Sequence, residues 1–389
     1  MFSRRTNWNL ASNAFTKAIA EARAANQELI DLTVSNPLQA GIAPDTDAVL
    51  AALCNPEAVH YDPQPRGMVS ARRAVCGYYH EAHGIYDLDP DRLFLTTSTS
   101  EAYSYIFRLL ANPGDEILVP KPSYPLFEFL ADLADVTPIA YPLVYDHGWQ
   151  IDFDSLYKAA TPQTRAVIVV HPNNPTGSYV STEQGHALNA FCRDYETALI
   201  ADEVFLDYAH DGAPRTSFVN NSEVLTFVLS GVSKVSALPQ MKLAWLVVSG
   251  PADHVTPALA RLEVIADTYL SLNTPVQLAA PVLLDQRKEV QPLLLDRLRV
   301  NLGELDRQLV NYPSCTRFQT EGGWYAVLRV PAVKSDEELA IDLIRKVGVT
   351  VHPGHFYDFA GEGHIVLSLI SDPVDCREGV ARLLQVIGE

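Results

Sequence analysis

The sequence predicts an α/β protein: a large domain whose mostly parallel sheet is sandwiched by helices, plus a smaller α+β domain. Short aliphatic runs alternate with helical patterns through most of the chain, as in a sheet covered on both faces. Ala166–Val170 is continuously apolar, which marks a strand buried on both sides. From about Gln277 the character changes to long charged helical patterns alternating with strands. At 389 residues the chain exceeds what one core usually serves.

Residues 13–25 read as an amphipathic helix, with Asn13 or Ser12 as cap. Asp31 to Asn36 is extended and ends at Pro37. Met68–His83 has apolar residues at helical spacing. Strand Leu93–Thr97 leads through Ser98, Thr99 and Ser100 into a helix ending near Leu110. Asn112-Pro113-Gly114-Asp115 is a turn, and strand Glu116–Val119 follows it. Beyond Ala166–Val170 come a loop His171–Gly177, a helix Thr182–Tyr195 and a short strand Ala198–Ala201 ending in Asp202-Glu203. Thr226–Leu229 and Ala244–Val248 are two further strands. The last part holds helices Glu289–Leu309 and Asp336–Lys346 and strands Trp324–Val330 and His364–Leu369.

Composition excludes several functions. With 29 basic against 47 acidic residues, the net charge of −18 argues against a nucleic-acid or anionic-membrane partner, since both need a basic face. The cysteines (Cys54, Cys76, Cys192, Cys315, Cys376) lack the spacing of a metal site, and their scatter suggests reduced thiols in the cytoplasm. The start, MFSRRTNWNL, has no apolar signal core, and no run is long enough to span a bilayer.

In an open α/β sheet, chemistry gathers on loops at the carboxyl ends of strands. Lys234 and Asp202 stand there. Ser98, Thr99 and Ser100 open a helix after a strand, where backbone N–H groups and hydroxyls suit a phosphate, although the same residues would also serve as a simple cap. The motifs HPNNPTG (His171–Gly177), ADEVF (Ala201–Phe205) and SGVSK (Ser230–Lys234) occur in order with YDPQPRG (Tyr61–Gly67), TSTSEA (Thr97–Ala102), PGDEILVPKPSYP (Pro113–Pro125) and EGGWYAVL (Glu321–Leu328). In these motifs nearly the whole chain resembles the class I/II aminotransferases of pyridoxal 5′-phosphate (PLP) fold type I.

The resemblance implies a transaminase that moves an amino group from an amino acid or amine donor to a keto acceptor. A PLP-dependent lyase, decarboxylase or cyclase on the same scaffold is the alternative. Lys234 would hold PLP as a Schiff base and then act as acid–base group. Asp202 would pair with the pyridine nitrogen. Asn174 would donate to the ring O3′, and Tyr124 would stack on the ring. Ser98, Thr99, Ser100, Ser233 and Lys242 would hold the phosphate, joined by Tyr61 from the other subunit of a homodimer with a shared site. The large PLP-binding domain would span 38–282, and the small domain 1–37 and 283–389.

The chain also departs from the family pattern. Lys242 stands where arginine is usual, which keeps the charge but loses the planar fork. Phe205 replaces a tyrosine whose hydroxyl would donate to O3′. Val366 aligns with the arginine that binds the substrate α-carboxylate, and a valine binds no carboxylate. Asn36, Arg66, His352 and His355 are the candidate replacements; otherwise the preferred amine carries no α-carboxylate. HPGHFYDF (His352–Phe359) either lines the substrate pocket or packs the small domain.

Overall fold

The computed structural model describes residues 1–212 and 215–388. Its strands are, in chain order, β1 (Ile30–Asp31), β2 (Leu93–Thr96), β3 (Glu116–Lys121), β4 (Thr137–Tyr145), β5 (Trp149–Ile151), β6 (Thr164–Val170), β7 (Ala198–Asp202), β8 (Thr226–Gly231) and β9 (Ala244–Ser249). They continue with β10 (Thr316–Arg317), β11 (Tyr325–Arg329), β12 (Val349–Thr350), β13 (His352–Pro353) and β14 (His364–Ser368). The eight-stranded sheet runs β2-β9-β8-β7-β6-β3-β4-β5. Its pairs from β8 across to β4 are parallel, whereas β9 is antiparallel to both β8 and β2 and β5 is antiparallel to β4. Hence β2, β3, β4, β6, β7 and β8 all point the same way. This is the sandwiched, mostly parallel sheet that the aliphatic runs predict.

Alternation along each strand builds a core on both faces. Leu118, Val167, Val169, Leu199, Ala201, Val228 and Trp245 face one helical layer. Ile117, Ala166, Ile168, Ile200, Phe227 and Leu246 face the other. Helix Val69–His83 belongs to the first layer and helix Thr99–Leu110 to the second. Both end where expected within a residue or two. Helix Ala14–Ala24 is capped by Asn13, whose side chain accepts from Thr16 N.

A second sheet, β10-β11-β14-β13, is antiparallel throughout. Beside it β1 pairs in parallel with β12, which brings the N-terminal region to the C-terminal part of the chain. Phe15, Ala18 and Ala22 of the first helix share a core with Val327, Leu343, Ile365 and Val366. The segment Thr33–Pro37, expected to be extended, leaves the strand and turns, with Asn36 Oδ1 accepting from Leu38 N.

The loop after β6 is fixed to the segment leading into β11. Gly177 O accepts from the N–H groups of Glu321 and Gly322, at 3.2 and 2.9 Å. Gly177 has φ +72°, and a Cβ there would collide with Thr320 Oγ1 and the Gly322 carbonyl. Gly177→Ala is expected to cost about 2–4 kcal/mol through left-handed strain and overpacking. A lowered urea midpoint would show this.

Candidate active site

Because β2, β3, β6, β7 and β8 run in one direction, the loops leaving them open on one edge of the sheet. Ser98 follows β2, Tyr124 follows β3, Asn174 follows β6, Asp202 ends β7, and Lys234 follows β8. Lys242 lies just before β9, whose antiparallel direction brings its start to the same edge. Topology therefore gathers residues separated by more than a hundred positions. This is the strand-end location at which open α/β sheets bind ligands.

Lys234 lies on a short helix, Val232–Val235, anchored by the Tyr208 hydroxyl donating to Lys234 O at 2.6 Å. Its amine is half-buried over the rings of Trp324 (4.5 Å) and Phe205 (5.3 Å). Nζ reaches only the Ser35 carbonyl, at 3.4 Å, and no carboxylate pairs with it among the described residues. Desolvation lowers its pKa to about 8, so a far larger share of the amine is neutral and nucleophilic near neutral pH than for an ordinary lysine.

Asp202 is buried and accepts from the Tyr103 hydroxyl (3.1 Å) and Val204 N (3.2 Å). Burial raises its pKa to about 6, against these two hydrogen bonds. No cation lies against it among the described residues. Next to it Glu203 is buried with its carboxylate turned to Ser217 Oγ and Phe218 N, both at 2.6 Å. These bonds tie the end of β7 to the 217–218 turn and give Glu203 a supporting place.

Asn173 and Asn174 divide their work. Asn173 Nδ2 donates to Pro122 O (3.1 Å) and Thr176 Oγ1 (2.9 Å), and its Oδ1 accepts from Ser123 Oγ (3.2 Å). It thus locks the β6 loop to the β3 loop that carries Tyr124. Asn174 Oδ1 is buried with no partner among the described residues, as is Ser230 Oγ. Unpaired buried polar atoms are costly and mark a place prepared for something else. Tyr124 is partly exposed, and burial together with the nearby Asp202 carboxylate raises its hydroxyl pKa.

Ser98 caps helix Thr99–Leu110, its Oγ accepting from Glu101 N at 3.2 Å. The N–H groups of Thr99 and Ser100 have no acceptor among the described residues and stay available to an anion. Ser233 is half-buried on the Lys234 helix, and Lys242 is exposed with φ +53°. Tyr61 is 78% exposed on this chain.

The candidate substrate residues separate. Arg66 is spent elsewhere: Nε and Nη2 bond Glu263 at 3.0 and 2.6 Å, and Nη1 bonds Asp91 O at 2.6 Å. Asn36 caps its own turn one residue beyond Ser35, the residue that Lys234 touches. His355 is exposed on the turn after β13. His352 lies directly across from Val366 in the antiparallel register, with Nδ1 2.9 Å from the Tyr357 hydroxyl. Val366 is fully buried.

Sequence reading missed Tyr103, Tyr208, Trp324 and Tyr325 as parts of the site, and left open whether Tyr357, within HPGHFYDF, lines the pocket or packs the small domain. Trp324 and Tyr325 sit inside EGGWYAVL, so the motif marked the place without the role. Tyr103 lies one helical turn beyond Thr99 and so shares the face of the helix that starts at the site.

The raised Asp202 pKa gives a pH test on protein free of cofactor. A group whose pKa is higher folded than unfolded favours folding below its ordinary value of 3.8, and that contribution is lost as pH rises through about 6. Asp202→Asn should therefore stabilise the cofactor-free protein near pH 8, by about 2–3 kcal/mol at most, with the gain fading toward pH 4. Thermal unfolding of both proteins at the two pH values checks this.

Comparison with known proteins identifies the family. Residues 8–383 match the family Aminotransferase class I and II. Alanine aminotransferase of Mycobacterium tuberculosis is 28% identical over 375 residues, covering 94% of this chain and 86% of that protein. Glutamate-pyruvate aminotransferase AlaA of Escherichia coli is 26% identical over 357 residues, covering 89% and 88%. The structure of an alanine aminotransferase from Pyrococcus furiosus superposes with a TM-score of 0.88 at 25% identity, covering 100% of this chain and 99% of that one. A half-buried lysine amine and a buried carboxylate on one strand edge, within a match that runs almost end to end, lead to one conclusion: the chain belongs to the class I and II aminotransferase family and is a PLP-dependent aminotransferase.

Proposed function

We propose that Lys234 is the residue that holds PLP and that Asp202 holds its ring nitrogen. The observation that carries this reading is a pair of unmatched ionisable groups. Among the described residues the amine of Lys234 has no carboxylate, and the carboxylate of Asp202 has no cation, although both are taken out of water on one edge. A carbonyl carbon facing the first and a protonated ring nitrogen facing the second would satisfy both. PLP, when bound, supplies an electron-withdrawing ring that stabilises the electron pair left when the substrate Cα loses its proton.

The remaining roles rest on what each residue offers. Lys234 takes the Cα proton, and its lowered pKa suits a base working near neutrality. Asp202, fixed by Tyr103 and Val204, keeps the ring nitrogen protonated. Asn174 donates from Nδ2 to O3′, in keeping with its place on the loop after β6 at the same sheet edge. Tyr124 covers one ring face. The N–H groups of Thr99 and Ser100, with Ser98, Ser233, Ser230 and Lys242, form the phosphate cup. Phe205 gives the amine an apolar wall in place of a hydroxyl.

We further propose that the enzyme is a homodimer in which Tyr61 reaches the partner's phosphate cup. Its 78% exposure on a single chain supports this role. The domain division at 38–282 against 1–37 and 283–389 is supported by the β1–β12 pairing and by the packing of the first helix. A cytoplasmic location is supported by the free state of every cysteine. No helix among the described residues is long and apolar enough to cross a membrane.

Borohydride reduction of the yellow holoenzyme should fix the cofactor's mass on the peptide containing Lys234, as read by mass spectrometry. Modification of a different lysine overturns the assignment. Lys234→Ala should lower amino transfer by at least about 10²-fold, the range of a lost acid–base group. Light scattering should give twice the chain mass of 42.8 kDa.

A further inference from the structure

One face of the small sheet is tied to the 34–35 segment that the Lys234 amine reaches. By the period of two, that face carries Tyr325 and Val327 of β11, Val366 and Ser368 of β14, and His352 of β13, with Val327, Val366 and His352 in one cross-strand row. Tyr325 follows Trp324, whose ring lies under the Lys234 amine. Ser368 Oγ donates to Val34 O, beside the Ser35 carbonyl that the amine reaches. The Tyr325 and Tyr357 hydroxyls are close enough to Tyr124 for each to shift with it. Ser123 N donates to Tyr357 O at 3.0 Å, which ties this face to the Tyr124 loop.

The polar equipment of the face is uncharged. Val366 and Val327 are buried and apolar. Arg329, the one cation in this set of alternating positions, sits exposed at the far end of β11 from Tyr325. Lys121 at the β3 end is held by Asp358 (3.0 Å) and Glu128 (3.4 Å). Burial lowers the pKa of His352 and favours its neutral imidazole, against a smaller opposing pull from Asp31. An imidazole nitrogen accepts a hydrogen bond better than a phenol oxygen does, and the Tyr357 hydroxyl keeps its proton, so Tyr357 donates to Nδ1. The proton of the ring is then on Nε2, which has no partner among the described residues. The Tyr325 hydroxyl has none either.

We propose that the polar group next to the reacting amine of the donor is received by neutral hydrogen-bond donors, His352 Nε2–H and the Tyr325 hydroxyl. The enzyme then accepts amines bearing an uncharged acceptor there, such as a carboxamide, within about 30-fold of those bearing a carboxylate. Tyr357 is the positioning residue that sets the imidazole tautomer. This inference rests on the Lys234 assignment above, because only that assignment makes this face the wall of the substrate site. A neutral donor discriminates weakly between a carboxylate and a neutral acceptor, whereas a fixed cation discriminates strongly.

The test compares L-alanine with L-alaninamide in the half-reaction, followed by the absorbance of the bound cofactor. The parent should prefer the acid by less than about 30-fold in kcat/KM, as suits neutral donors, and a larger preference overturns the proposal. His352→Arg, which adds a cation on the same face, should shift the ratio toward the acid by about tenfold or more. An unchanged ratio overturns the proposal. Tyr357→Phe leaves the imidazole in place and should raise KM for both donors by about three- to tenfold while sparing kcat. A fall in kcat with KM unchanged counts against a positioning role. Holoenzyme that reduces onto Lys234 yet fails these tests sinks this inference alone, whereas failure of reduction at Lys234 sinks the functional assignment beneath it.

Discussion

The site depends on one electrostatic constraint: an amine and a carboxylate are withdrawn from water on the same sheet edge without neutralising each other. Either group alone would cost the fold several kcal/mol unless its pKa moved. Both pKa values do move, Lys234 to about 8 and Asp202 to about 6, each toward the neutral form. The fold tolerates this because the hydrogen bonds around each group are specific. Tyr103 and Val204 hold Asp202, and Tyr208 holds the backbone of Lys234. Trp324 and Phe205 supply the low-polarity surface that keeps the amine reactive.

That arrangement requires the small sheet to stay seated on the large one. Trp324 reaches Lys234 only because its strand is tied to the β6 loop through the Gly177 carbonyl and to the 208–210 turn. Gly323 N donates to Tyr208 O at 2.9 Å, and His210 Nε2 meets Gly323 O at the same distance. On the other side of the cleft, Ser123 N with Tyr357 O and Lys121 with Asp358 join the β3 loop to the turn after β13. Residues that serve the chemistry and residues that join the sheets therefore alternate along the same loops. Asn173 and Asn174 are the clearest case, the first fully occupied as a brace and the second left with an unpaired oxygen.

Much of this was legible in the chain. β6, β7, β8 and β9 are aliphatic runs because both of their faces are covered, so composition alone reveals them. The edge region was not legible. β4 contains Pro138 and Pro142 and is only partly buried, so its pattern is neither continuous nor alternating. Helix Ala252–Tyr269 contains Pro257, which masks its period. Within the site, motif spacing pointed to Lys234, Asp202, Asn174 and Tyr124. Nothing local distinguished Arg66 from His352 as partners of a substrate. Arg66 proves to be engaged by Glu263, a residue almost two hundred positions away.

The sequence by itself determined the strand and helix periods, the turn that places Lys234 after a buried strand, and the family pattern in its loops. These are local properties, written in hydrophobic spacing and in short motifs. Only the tertiary structure decided which polar groups are left without partners. It showed that, among the described residues, Asp202 meets no cation, Lys234 meets no acid, and His352 keeps one nitrogen unpaired across from a buried valine. Partner choice depends on register between distant strands and on burial, and both follow from packing the whole chain at once.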